Sequence, residues 1–213
     1  MLNKNQYYEK IDLLNKNIII ASSFINSGLS EDIFQTIIYF DKQEEAVTFG
    51  DTGENHLAKL VGVSIYSEST GVQFNSSNGT IERCILYSPN DGSGIYCNAS
   101  SPNIINCTIA GFGNAVYSDL NSNPYINNSI LWSDDIGISG NGVVEYSCVY
   151  KGLENSSTFT GNNIYVDPIF DHLYAFGNHE LGWRMREYPW TGYPFGPFDG
   201  KDNNPWASPN TNL

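Results

Sequence analysis

Residues 102–132 read PNIINCTIAGFGNAVYSDLNSNPYINNSILW, and the stretch says nearly the same thing twice. Pro102-Asn103-Ile104-Ile105-Asn106-Cys107-Thr108-Ile109 returns 22 residues later as Pro124-Tyr125-Ile126-Asn127-Asn128-Ser129-Ile130-Leu131. Working outward, TIERCILYS (80–88), NIINCTIAG (103–111), YINNSILWS (125–133) and VVEYSCVYK (143–151) fall in register. Cys84, Cys107, Ser129 and Ser147 then share one column, at spacings of 23, 22 and 18. A further strand precedes each of these: GVQFN (71–75), GIYCN (94–98), AVYSD (115–119) and GISGN (137–141). Turn formers such as SSNG, PNDGSG, GFGN and NSNP separate the strands.

Two or three short strands in ~22 residues cannot bury an apolar face alone, but stacked on similar neighbours they can. The pattern predicts an all-β, single-stranded parallel β-helix, a solenoid with ~22-residue coils. A β-sandwich would show hairpin signals every 8–12 residues instead. Ile81/Cys84/Leu86, Ile104/Cys107/Ile109, Ile126/Ser129/Leu131 and Val144/Ser147/Val149 are expected to point inward as stacked columns. Cys84, Cys97 and Cys107 read as buried, reduced thiols. Cys84 and Cys107 are column neighbours, which permits a disulfide without requiring one. Cys148 is expected to face out.

The totals agree with this reading. At 213 residues the chain can bury a sizeable core, and only 15% of it is charged. Its net charge of −13 argues against nucleic acid and anionic lipid as partners. No run approaches the ~18 apolar residues of a membrane span, so membrane insertion is not expected. Met1-Leu2-Asn3-Lys4-Asn5 has no apolar signal core. The four cysteines lack the close pairs of a zinc site.

With these coils the chain resembles the right-handed parallel β-helix (pectin-lyase-like) superfamily, in which I-x-N-C-x-I is a common coil pattern. QYYEKIDLLNKNIII (6–20) resembles the first coil of pectinesterase-like and related secreted members. SCVYKG (147–152) with NNIYVDPIF (162–170) resembles the closing coils of large bacterial surface proteins. The resemblance implies a β-helix over residues 6–170 and a secreted or cell-surface location. An irregular aromatic and proline-rich tail, 171–213, is expected to pack as a cap. Two features depart from the family: its usual N-terminal cap is absent before Tyr7, and the tail matches nothing in it. The chain therefore reads as a fragment or domain of something larger. Within residues 24–70 the coil pattern weakens: DKQEEAVTFGDTGENHL (41–57) resembles a coil with a longer acidic insertion, an exposed loop being the plainer reading, and LVGVSIYS (60–67) reads as a strand.

The superfamily includes pectate lyases, polygalacturonases and pectin methylesterases, so the resemblance also implies catalysis as an alternative. A lyase needs a base, and Ca²⁺ or extra cations to neutralise the sugar carboxylate. Arg83 and Lys151, with Lys59, are the basic candidates in the coils. Glycoside hydrolysis needs paired carboxylates, for which Asp119, Asp134 and Asp135 are candidates. None of the family's motif sets carries over as a whole, and Ca²⁺ is implied only through the lyase reading. His172, His179 and Glu180 read as solvated or capping residues rather than metal ligands. DGKDNN (199–204) has Lys201 where a Ca²⁺ loop needs an acid. Asn75, Asn78, Asn98, Asn106, Asn127 and Asn155 begin N-x-Ser/Thr sequons, which an Asn-rich solenoid accumulates by chance.

The outward columns are more informative. Tyr87, Ala110, Trp132 and Tyr150 take equivalent places in successive coils, as do Tyr96 and Tyr117, with Gln73 one coil before. Coils ~4.8 Å apart would turn these into exposed aromatic ladders. Flanked by Asn90, Asp91, Asn114 and Asp134, such ladders suit sugar rings. The expected function is a non-catalytic module binding polysaccharide or another cell-surface component. The alternatives are a polysaccharide lyase or glycoside hydrolase, and a structural spacer whose uncovered end self-associates.

Overall fold

A computed structural model describes residues 1–14, 16–50, 58–88, 90–150 and 158–165. Its strands form three parallel sheets that the chain visits in turn, coil after coil. Sheet I holds Asn5–Tyr7, Thr36–Phe40, Ser64–Ser67, Ile85–Tyr87, Thr108–Ala110, Ile130–Trp132 and Cys148–Val149. Sheet II holds Ile11–Asp12, Glu45–Phe49, Thr70–Asn75, Ser93–Asn98, Asn114–Ser118 and Ile136–Ser139. Sheet III holds Ile19–Ala21, Lys59–Val61, Thr80–Glu82, Asn103–Ile105, Tyr125–Asn127, Val143–Glu145 and Thr158–Thr160. The chain is a parallel β-solenoid, as its repeat predicts.

The register follows the sequence echo. Ile85 pairs with Thr108 and Thr108 with Ile130, steps of 23 and 22 residues. Inward positions then stack like on like: Leu86, Ile109 and Leu131 in sheet I, Val72, Ile95, Val116 and Ile138 in sheet II, and Ile81, Ile104, Ile126 and Val144 in sheet III. All of them are fully buried. Each such side chain contributes about 1.5–3 kcal/mol relative to exposure, so the shared column drives the stacking.

The corners carry their own chemistry. Between sheets III and I, Gly62, Arg83, Asn106, Asn128 and Tyr146 have φ of 62°, 53°, 54°, 48° and 50°. Asn tolerates this left-handed backbone, which explains why Asn recurs there. The next residue turns inward: Cys84, Cys107, Ser129 and Ser147 are buried in one column, as expected. A second small-residue column, Ser77, Ser100 and Ser122, lines the corner between sheets II and III. The Ser77 N–H donates to Ser100 Oγ (3.0 Å) and the Ser100 N–H to Ser122 Oγ (2.9 Å). Gly94 marks a close approach between coils. A Cβ there would stand 2.2 Å from Ile109 Cγ2 and 2.6 Å from the Ala115 carbonyl oxygen.

Two expectations need correction, the exposed loop within residues 41–57 and the outward-facing Cys148. Within the stretch read as an exposed acidic loop, Glu45–Phe49 is a strand of sheet II, with Ala46, Val47 and Phe49 in the core. The acidic cluster before it hid the alternation. The coil pattern is also interrupted by two short helices, α1 (Phe24–Ser27) and α2 (Ser30–Phe34), which follow Ile19–Ala21. Helix α2 lies against sheet I, where Ser64 Oγ donates to the Ile33 carbonyl (3.0 Å). Cys148 stands beside Ile130 on the outer side of sheet I, yet it is 6% exposed.

Candidate functional site

The outer faces of sheets I and II each carry an aromatic column, and the two differ in kind. On sheet II the register aligns Thr48, Gln73, Tyr96, Tyr117 and Ser139. Alternation along a strand forces all of them outward, because their neighbours Val47, Val72, Ile95, Val116 and Ile138 fill the core. The Tyr96 and Tyr117 rings are half-buried and parallel, 7° apart, with centroids 5.1 Å from each other. Ser139 holds the next position and is too small to stand over the Tyr117 ring.

Two residues further along the strands, Asn75 and Asn98 occupy the same outer face, with Asp119 in the next coil. Gln73 Nε2 donates to Asn75 Oδ1 (2.9 Å), and Asn98 Nδ2 donates to the same oxygen (3.3 Å). In the sequence Asn75 and Asn98 stand out as sequons and as the last residues of GVQFN and GIYCN. Their two-residue offset from Gln73 and Tyr96 was the signal that places them beside the rings.

On sheet I the outer column is Tyr39, Tyr66, Tyr87, Ala110 and Trp132. Tyr87 and Trp132 were expected in an exposed ladder. Instead Tyr87 is 1% and Trp132 8% exposed. Ile37, Tyr39, Tyr66 and Tyr87 form a second hydrophobic cluster, against which Phe34 of α2 and Ile85 pack. Trp132 tilts against half-buried Tyr150, with centroids 4.9 Å apart. This face behaves as an interior surface.

The acidic candidates do not assemble. Asp134 and Asp135 sit at the turn from sheet I to sheet II, where their N–H groups donate to the carbonyls of Phe112 (2.9 Å) and Gly113 (3.0 Å). Asp119 lies beyond the other end of the sheet II strands. Its carboxylate accepts from Ser122 Oγ (2.6 Å) and from the backbone N–H groups of Ala99 and Asn121. These bonds hold its carboxyl below the usual range, the Ser122 hydroxyl contributing most. Asp119 is a turn-capping acid. The Asp134 carboxyl moves the other way. Crowding by the surrounding chain, then the like charge of Asp91, pushes it up to about 7, although the side chain remains exposed.

Arg83 occupies a left-handed corner between sheets III and I, 3.7 Å from Glu82 Oε1, with its guanidinium 5.5 Å from the Phe24 ring centre. It lines a groove of about 420 Å³ with Phe24, Ile25 and Lys59. Lys151 lies outside the described residues, as do Asn155, His172, His179, Glu180, Lys201 and the 171–213 tail. Among the described residues no group of three or more His, Cys, Asp or Glu side chains is placed to hold a metal ion.

Residues 46–178 match the family model described as "right handed beta helix region". The chain belongs to this family. Its sheets are therefore those of a right-handed β-helix, in keeping with the pectin-lyase-like resemblance of its coils. No curated protein and no solved structure matches the chain. In this β-helix the repeated element is the coil itself, and a fold of this kind does not by itself specify a chemistry.

Proposed function

We propose that this β-helix is a non-catalytic module that binds carbohydrate through the outer face of sheet II. The observation that carries the reading is the parallel Tyr96–Tyr117 pair, ending in a ring beside small Ser139. A pyranose has an apolar C–H face that packs on an aromatic ring, while its hydroxyls need donors and acceptors nearby. The amides of Asn98, on the strand of Tyr96, and of Gln73 and Asn75, one coil before it, supply both on the same outer face. A polymer at a bacterial or other cell surface is the partner that fits a long, repetitive face. The −13 charge favours neutral sugars over polyanions.

A second reading, glycoside hydrolysis, rests on Asp134 alone. A carboxyl near pKa 7 is tuned for a general acid, and Asp91 is the like-charged neighbour that helps tune it. One experiment separates the two readings. The protein and its Tyr117→Ala variant are run through native gels containing neutral or acidic polysaccharides, which are then stained for polymer. Retardation of the parent, reduced in the variant, supports binding. A cleared zone makes the protein a hydrolase or lyase, and no retardation in any polymer removes the carbohydrate reading.

A further inference from the structure

Arg83 is the corner residue that the coil repeat does not explain. Gly62, Arg83, Asn106, Asn128 and Tyr146 hold equivalent left-handed positions between sheets III and I. Glycine and asparagine meet that backbone at little cost, whereas a longer side chain is strained there. Tyr146 has a structural use, because its ring lies against Gly161, where a Cβ would stand 3.2 Å from Tyr146 Cζ. The Arg83 side chain is half-exposed and donates no hydrogen bond among the described residues. Glu82 Oε1 stands 3.7 Å from its Nε, and the Phe24 ring centre 5.5 Å from its Cζ. A strained residue that fastens little of its own coil is a reason to look for a ligand.

We propose that the groove between helix α1 and this corner binds a small carboxylate with an apolar body, its charge held by Arg83 and Lys59. Three observations support this occupant. The first is the lining. The groove encloses about 420 Å³, the size of a small-molecule site. Ile19, Phe24, Ile25 and Val61 give it apolar surface, and Ile19 and Ile25 are both more than half exposed.

The second is charge. Lys59 and Arg83 come from adjacent coils and line the groove together, with Glu82 as the one acid beside them. The groove is therefore locally positive on a chain of net charge −13. An arginine presents paired N–H groups that match the two oxygens of a carboxylate. The apolar lining disfavours an inorganic anion, the paired cations disfavour a neutral lipid, and the overall charge disfavours a polyanion.

The third is a wall set in place without a ligand. The Phe24 N–H donates to Ser22 Oγ (3.2 Å), and that hydroxyl donates to the Gly62 carbonyl. The Gly62 N–H donates to the Glu82 carbonyl (3.0 Å), which ties the same corner to the next coil. A Cβ at Gly62 would stand 2.9 Å from Phe24 Cδ1, so the ring is seated directly on the backbone of this corner. A site held in this way has little to order when it binds.

The test titrates the full-length, isotope-labelled protein with phenylbutyrate, following backbone amide shifts by NMR. Butyrate and phenylbutanol serve as probes that lack the ring or the charge. Shifts are expected at residues 24–28, 59–61 and 82–84. Affinity should be about tenfold lower or more for either control probe, and should fall as salt is added. Arg83→Asn installs the residue used at positions 106 and 128. It should weaken phenylbutyrate binding about tenfold or more while leaving the thermal midpoint unchanged or raised, and Lys59→Gln should weaken binding several-fold. No saturable shift at millimolar phenylbutyrate, shifts centred on other residues, equal affinity for phenylbutanol, or full affinity in Arg83→Asn overturns the proposal. A lowered midpoint in Arg83→Asn also overturns it, because Arg83 would then serve the fold.

Discussion

The Cys107 backbone N–H donates to Ser129 Oγ across 3.1 Å, and the Ser129 N–H donates to Ser147 Oγ at the same distance. The corner between sheets III and I interrupts the regular ladder, so each buried N–H there needs a side-chain acceptor from the next coil. Ser129 Oγ also donates to the Asn127 carbonyl (2.9 Å), closing the corner on itself. Ser129→Ala would leave a buried donor without its partner. The expected loss is about 1–3 kcal/mol, against less for Ser129→Cys, the residue this column already uses at positions 84 and 107. Urea unfolding of the three proteins checks this. Equal midpoints for parent and alanine variant would show that the hydroxyl ladder has no energetic role.

The thiols of that column make a second prediction. Burial pushes the Cys107 pKa up to about 12 and raises Cys84 and Cys97 as well. The thiolate is the reactive form, so at pH 8 these three cysteines should resist a thiol reagent for hours in the folded state and react within minutes in denaturant. Cys84 and Cys107 are free in the structure. Intact mass should therefore be unchanged by a reductant, and a shift of two hydrogens on reduction would reveal a disulfide.

How much of this was legible follows from which side of the strand a residue occupies. The inward columns repeat apolar or small residues at a fixed step, and the Ile104/Cys107/Ile109 trio could be read and placed without coordinates. Outward residues have no such constraint. Tyr87 and Tyr96 look alike in sequence, each an outward tyrosine on a short strand, yet one is buried on sheet I and the other half-open on sheet II. That difference depends on what lies over each face, which no local pattern encodes. Glu45–Phe49 was hidden for a related reason, since the acids at positions 44 and 45 and at 51 and 54 mark a loop more strongly than three inward residues mark a strand. The Asp119, Asp134 and Asp135 group failed because adjacency in sequence ignored the full width of sheet II between two turns.

The Asp134 carboxyl gives a pH prediction. Its folded pKa, raised to about 7, lies above the unfolded value near 3.9, so the folded state holds the proton more tightly. The stability this confers is fully present below the unfolded value and is lost as pH rises through the folded one. Asp134→Asn mimics the protonated form. It should match the parent near pH 3 and be the more stable protein at pH 8, by about 1 kcal/mol or less because solvent screens an exposed group. Unfolding midpoints at the two pH values decide. A variant less stable than the parent at pH 8 would mean that the ionised carboxylate is held by a favourable partner.

The two stacked tyrosines should not contribute equally to ligand binding. Tyr96 lies between Gln73 and Tyr117 in the outer column, so both sides of its ring adjoin larger neighbours. Tyr117 has Tyr96 on one side and only Ser139 on the other, which leaves room for a sugar to extend the stack by one step. A ring-stacking contact contributes about 0.5–1.5 kcal/mol, up to roughly a tenfold change in affinity. Tyr117→Ala should weaken binding to whichever polysaccharide retards the parent by about that factor, while Tyr96→Phe leaves it nearly unchanged. Ser139→Tyr offers the converse test, since a new ring would occupy the place assigned to the sugar and reduce affinity even though it adds aromatic surface. Retardation that increases in Ser139→Tyr would show that the ligand takes ring edges along the column rather than the open face of Tyr117.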